Sequence, residues 1–120
     1  MKEILAIAKA LGDESRLRAL VAVSDGELCL CQLIEVLGLA PATVSKHMNL
    51  LQQAGLVERT RKGKWRFYRL ADGSTSRAVR RALEWAVEEV EGDPTLEEDA
   101  RKIRKVRRQD LEELSACYRS

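Results

Sequence analysis

At 120 residues with 45% hydrophobic content, the chain can bury one modest core and form a single folding unit. Only 4% of it is aromatic, which leaves that core to Leu, Val, Ile and Ala. The net charge of +2 hides segregation: residues 57–81 carry nine bases against Glu58 and Asp72, while 82–100 carry eight acids and no base. No charged-then-apolar leader opens the sequence and no apolar run nears the ~20 residues that span a bilayer, so the expected location is cytoplasmic with no membrane partner. Three cysteines make a poor disulfide framework, and a C-x-C pair in a reducing compartment is metal-binding, redox-active or simply buried.

The first element is a short amphipathic helix over 3–11, with Ile4, Leu5, Ala8 and Leu11 at helical spacing. Asp13 caps a second helix that Asp25-Gly26 stops. A third, starting near residue 28 and ending at Gly38, carries Leu30, Leu33, Ile34 and Leu37 as its apolar stripe. Pro41 suits the first position of a fourth helix over 41–54, since its missing N–H costs nothing there. In this helix Val44, Met48 and Leu51 form the core stripe, whereas Ala42, Ser45, Lys46 and Asn49 share the opposite face, with Thr43 and His47 at its flank. A face of small polar groups and one Lys, with no acid along the whole helix, suits a phosphate-lined groove. An ordinary solvated helix would explain that face alone; its successor tips the balance. Residues 56–61 and 65–70 alternate around Lys62-Gly63-Lys64 as a β-hairpin bearing six bases, Arg59, Arg61, Lys62, Lys64, Arg66 and Arg69. Helix-turn-helix plus basic hairpin is a winged helix-turn-helix whose wing tracks phosphates.

Beyond the 71–74 turn, a helix over 75–91 shows the stripe Ala78, Val79, Ala82, Leu83, Ala86, Val87 and Val90, longer than so small a core needs. A second copy of the same helix is the simplest cover. Gly92-Asp93-Pro94 ends it, and a last helix from Thr95 to about residue 117, highly charged, reads as peripheral. The fold class is thus mainly α, a winged helix-turn-helix with a two-stranded wing that dimerises through its terminal helices, and it divides into a DNA-binding and dimerisation unit at 1–92 and a charged extension at 93–120. Ile4, Leu5, Ala8, Val79, Leu83, Ala86 and Val90 are the expected dimer contacts.

Two thiols, Cys29 and Cys31, open the third helix. On a regular helix residues two apart point ~200° apart, so the pair is not expected to be wholly core, and one ion binding both would have to unwind the first turn. Placement at a helix N-terminus should lower both thiol pKa values. A thiol enzyme is disfavoured: there is no C-x-x-C, no βαβ pattern and no general base beside the thiols.

Three stretches, Glu27-Leu28-Cys29-Leu30-Cys31-Gln32-Leu33, Ala42-Thr43-Val44-Ser45-Lys46-His47-Met48 and Gln53-Ala54-Gly55-Leu56-Val57, together with the basic wing, resemble the ArsR family of small metalloregulatory repressors over residues 3–91. The resemblance implies a homodimeric repressor that binds double-stranded operator DNA and needs no cofactor. In arsenic-responsive members, As(III) or Sb(III) bound by thiolates of the E-L-C-x-C stretch acts as inducer. Here Ile34 stands where the best-known arsenic sensors carry a third cysteine. As(III) prefers three ligands, so Cys117, a ligand from a partner subunit, or an exogenous thiol or hydroxide would complete the set. Response to Cd(II) or Pb(II), response to thiol oxidation, and no thiol-based sensing remain as alternatives. His47 fits a DNA contact better than a metal ligand.

Overall fold

A computed structural model describes residues 1–72 and 75–116; the expected turn at 71–74 falls partly outside this range and Cys117 wholly outside it. Helix α1 (Lys2–Leu11) is followed by α2 (Glu14–Ala22), where the Asp13 carboxylate accepts from the Arg16 N–H at 3.0 Å and so satisfies one of the helix's open donors. A 3-10 turn at Val23–Asp25 then leads into strand β1 (Leu28–Cys29), helix α3 (Leu30–Leu37) and helix α4 (Pro41–Gln53). Gly38, at φ 68°, lets the chain leave α3 through the left-handed region that a side chain would strain. Pro41 does sit in the first turn of α4, and Val44, Met48 and Leu51 are its buried positions, as their spacing requires.

Strands β2 (Val57–Lys62) and β3 (Trp65–Leu70) form the wing, with Lys62 opposite Trp65 and Gly63 at φ 62° in the tight turn between them. The sheet has three strands in the order β1-β3-β2, all antiparallel. The sequence pattern predicts the β1 segment as the start of α3. The Leu28–Cys29 backbone instead pairs with Phe67 and Tyr68 of the wing, because an extended segment there satisfies N–H and C=O groups that β3 would leave open along its edge.

Helix α5 (Arg77–Glu89), capped by Ser76, packs across α1. The expected last helix is two. Asp93, not Thr95, caps α6 (Pro94–Arg107), accepting from Thr95 N–H at 2.8 Å, and α7 (Leu111–Ala116) follows after a break. Nor is α6 peripheral. Ile103 and Val106 are buried where it packs against α2 and α3, and Asp99, 3% exposed, takes both Nε and Nη2 of Arg18 at 2.9 Å. Removing that pocket-filling carboxylate would strand a half-buried guanidinium, so the pair ties α6 firmly to α2. Core side chains converge from α2, α3, α4 and β3: Leu20, Leu33, Val36, Met48, Leu51 and Tyr68 are fully buried.

Candidate functional site

The outer face of α4 exposes Ala42, Thr43, Lys46 and Asn49, with Ser45 half-buried beside them. His47 has a different neighbour from the one expected. Its Nδ1 lies 3.2 Å from Arg16 Nη1, and the same guanidinium donates to the carbonyls of Ala10 and Lys9 at 2.9 Å, so His47 joins α4 to the α1–α2 corner. Three strand positions, Arg59, Arg61 and Arg66, share one hairpin face with Tyr68 and are exposed, while Lys62 and Lys64 belong to ion pairs with Glu27 and Glu112 at 2.6 and 2.7 Å. Arg69 pairs with Glu58 at 2.8 Å. Such exposed pairs are worth ~1 kcal/mol or less each, so they bias the two lysines without removing them from reach of a polyanion.

At the thiols the extended Cys29 changes the chemistry. Cys29 is the N-cap of α3 with φ −73° and ψ 153°, and Gln32 at the third helical position reaches back so that its Oε1 accepts from the Cys29 N–H at 2.8 Å. This bend brings the two Sγ atoms to 2.9 Å, and both residues are buried. The helical angle of ~200° does not apply when one member of the pair lies outside the helix. Unwinding of α3 is therefore unnecessary, and the expectation that the pair is not wholly core is corrected as well.

The shared hydrogen bond also splits the two acidities. The Cys31 thiol donates to Cys29 and holds it at about 7, below its ordinary 9.0; burial opposes this and the N–H groups of Cys31 and Gln32 assist. Cys31 moves the other way, because the same hydrogen bond, burial and the adjacent thiolate all retain its proton. One thiolate and one thiol share a site, where two lowered thiols were expected. Two thiolates at ~2.3 Å from one soft ion stand roughly 3.3–3.8 Å apart, so the sulfurs need to separate only a little from 2.9 Å to take such an ion. Among the described residues no cluster of three His, Cys, Asp or Glu side chains is set to hold a metal. Ile34, 4% exposed, belongs to the core.

Helices α1 and α5 border an apolar groove. Ile4 and Trp85, 62% and 61% exposed, line it with Ala8, Ala82 and Val90, while Leu5, 61% exposed, is the next residue of α1 after Ile4. Val79 and Leu83 face inward, contrary to the expected interface, and Ala86 is also buried. Trp85, absent from the sequence-based stripe, is the largest open apolar group here; it stands three residues after Ala82 and seven after Ala78, so helical spacing places it on the same face and could have found it.

The sequence profile described as "Bacterial regulatory protein, arsR family" matches residues 13–59. An uncharacterized HTH-type transcriptional regulator of Methanocaldococcus jannaschii is 35% identical over 75 residues, which span 62% of this chain and 84% of that protein. The chain belongs to the arsR family. An arsenic resistance transcriptional regulator of Pseudomonas putida is 40% identical to this arsR-family chain over 74 residues, 58% of each protein's length. The solution structure of a homodimeric winged helix-turn-helix DNA-binding domain from Mycobacterium bovis, described as a possible ArsR-family transcriptional regulator, superposes with a TM-score of 0.60 at 28% identity, covering 77% of this chain and 83% of that one. This family consists of DNA-binding transcriptional regulators and not enzymes, in keeping with the winged helix-turn-helix described above. Among the described residues no helix is long and apolar enough to cross a membrane.

Proposed function

We propose that this arsR-family protein is a homodimeric repressor that binds operator DNA through α4 and the wing and is released when As(III) or Sb(III) binds the thiolates of Cys29 and Cys31. The observation that carries the reading is the 2.9 Å approach of two buried sulfurs, one of them held near a pKa of 7. Soft, paired thiolates select thiophilic ions over the hard cations of the cell. Cys117, which lies outside the described residues and directly follows α7, is the third-ligand candidate within the chain; a partner-subunit ligand or an exogenous thiol or hydroxide would serve in its place. Ala42, Thr43, Ser45, Lys46 and Asn49 read the groove, and Arg59, Arg61 and Arg66 contact phosphates, with Lys62 and Lys64 at the tip. The α1–α5 groove, lined by Ile4, Ala8, Trp85 and Val90, is the surface a second copy covers, together with the exposed Leu5 of α1.

The alternatives are Cd(II) or Pb(II), which two sulfur donors also suit, and oxidation of the close sulfurs to a disulfide. One gel-shift titration separates these readings. Arsenite releases wild type and not Cys29→Ser if the metalloid reading holds; release by Cd(II) alone, by peroxide alone, or by nothing rejects it. Cys117→Ser should lower arsenite affinity and leave operator affinity intact, with X-ray absorption showing one fewer As–S bond.

A further inference from the structure

Glu27 stands two residues before Cys29, is exposed, and places its carboxylate 2.6 Å from Lys62 Nζ at the end of β2. Antiparallel partners share a sheet face, so the Cys29↔Phe67 register sets the thiol residue and the Phe67 ring on one side of β3. Across that same ring lies Lys62, its ammonium 4.8 Å from the centroid. The thiol strand is thus joined to the wing twice, by the β1–β3 ladder and by a side-chain bridge from Glu27 through Lys62 to Phe67.

Resting on the inducer reading above, we propose that Glu27, Lys62 and Phe67 are positioning residues that transmit occupancy of the Cys29/Cys31 site to the wing. Any ion held by both sulfurs requires the Cys29 sulfur to draw away from Cys31. Cys29 is 2% exposed, so its sulfur has no open space to turn into, and the separation is taken up by the two-residue strand of which Cys29 is half. The ladder passes the displacement to Phe67 and Tyr68 in β3, and the Glu27–Lys62 pair passes it to β2, so both wing strands shift as one body against the phosphates. The route runs through the sheet and bypasses α4. Coupling of this kind is reciprocal: DNA held by the wing must weaken inducer binding by the same factor.

The test is the ratio of operator affinities without and with arsenite, measured by fluorescence anisotropy for wild type, Glu27→Gln and the charge-swapped double variant Glu27→Lys/Lys62→Glu, with arsenite binding followed separately by As–S ultraviolet absorption. Residue 27 is exposed, so these changes leave the core untouched. An exposed ion pair contributes a factor of up to about five per subunit, so Glu27→Gln should cut the ratio about three- to tenfold while arsenite still binds. The swap re-forms the ion pair but not the contact with the Phe67 ring, so it should recover part of the lost ratio even though it weakens DNA binding in both states, an outcome that a simple phosphate-contact role for Lys62 does not produce. An unchanged ratio in Glu27→Gln, a swap that recovers none of the loss, or loss of arsenite binding in Glu27→Gln overturns the proposal and leaves the inducer reading standing. A wild-type ratio of one overturns both.

Discussion

Trp85 offers the sharpest test of how the protein assembles. It is 61% exposed on α5 in the groove that it shares with Ile4 of α1, whereas Leu83, two residues earlier, is only 8% exposed. Of the ~250 Å² that a Trp side chain can bury, roughly 150 Å² is open, worth about 4 kcal/mol at ~25 cal/mol per Å² if wholly covered. A twofold interface uses the residue twice. Allowing for half coverage and for the Cβ that alanine retains, Trp85→Ala should cost the dimer about 4 kcal/mol, raising its dissociation constant roughly 10³-fold. Folding of the protomer should be unaffected, since the side chain packs on little of its own chain. Leu83→Ala should do the reverse, lowering stability by about 2–4 kcal/mol through a core cavity. Sedimentation equilibrium over a concentration series, paired with denaturant unfolding monitored by circular dichroism, separates the two effects. A monomeric wild type, or a Trp85→Ala dimer as tight as wild type, would refute the α1–α5 interface.

Removing the hydrogen-bond donor at Cys31 should return Cys29 toward its ordinary thiol acidity: the thiolate absorbance of Cys31→Ala rises only well above pH 7, while Cys31→Ser, which keeps a donor, titrates lower than Cys31→Ala. Equal titration of the two variants would show that the shared hydrogen bond is not the cause. Arg61→Ala should weaken binding to all DNA sequences and flatten the salt dependence by about one unit for each phosphate no longer neutralised, whereas Ser45→Ala should alter sequence preference; an unchanged salt slope for Arg61→Ala removes the wing from the phosphate backbone. Asp99→Ala strands Arg18 and should destabilise the fold by about 3 kcal/mol, read as a fall in Tm, while truncation of a merely peripheral helix would leave Tm where it was.

Local chemistry is enough to reveal the helix-turn-helix and the wing. Pro41, the Val44/Met48/Leu51 spacing and the alternation around Gly63 each act within a few residues, and their signals survive in one dimension. The C-x-C stretch is equally visible as two thiols one residue apart. What depends on distant partners is not legible. Cys29 is extended because β3, nearly forty residues on, supplies the hydrogen bonds that hold it so, and that one backbone choice turns diverging thiols into a pair 2.9 Å apart with split acidities. Likewise α6 reads as peripheral because charges dominate its sequence, yet Asp99 finds Arg18 eighty-one residues away and Ile103 and Val106 find α2 and α3. His47 reads from sequence as a DNA contact, and only the fold brings its Nδ1 to 3.2 Å from Arg16 Nη1. Periodicity reports which side of an element is apolar; whether that side meets its own core, as Val79 and Leu83 do, or is left open, as Trp85 is, is decided only when the other helices have taken their places.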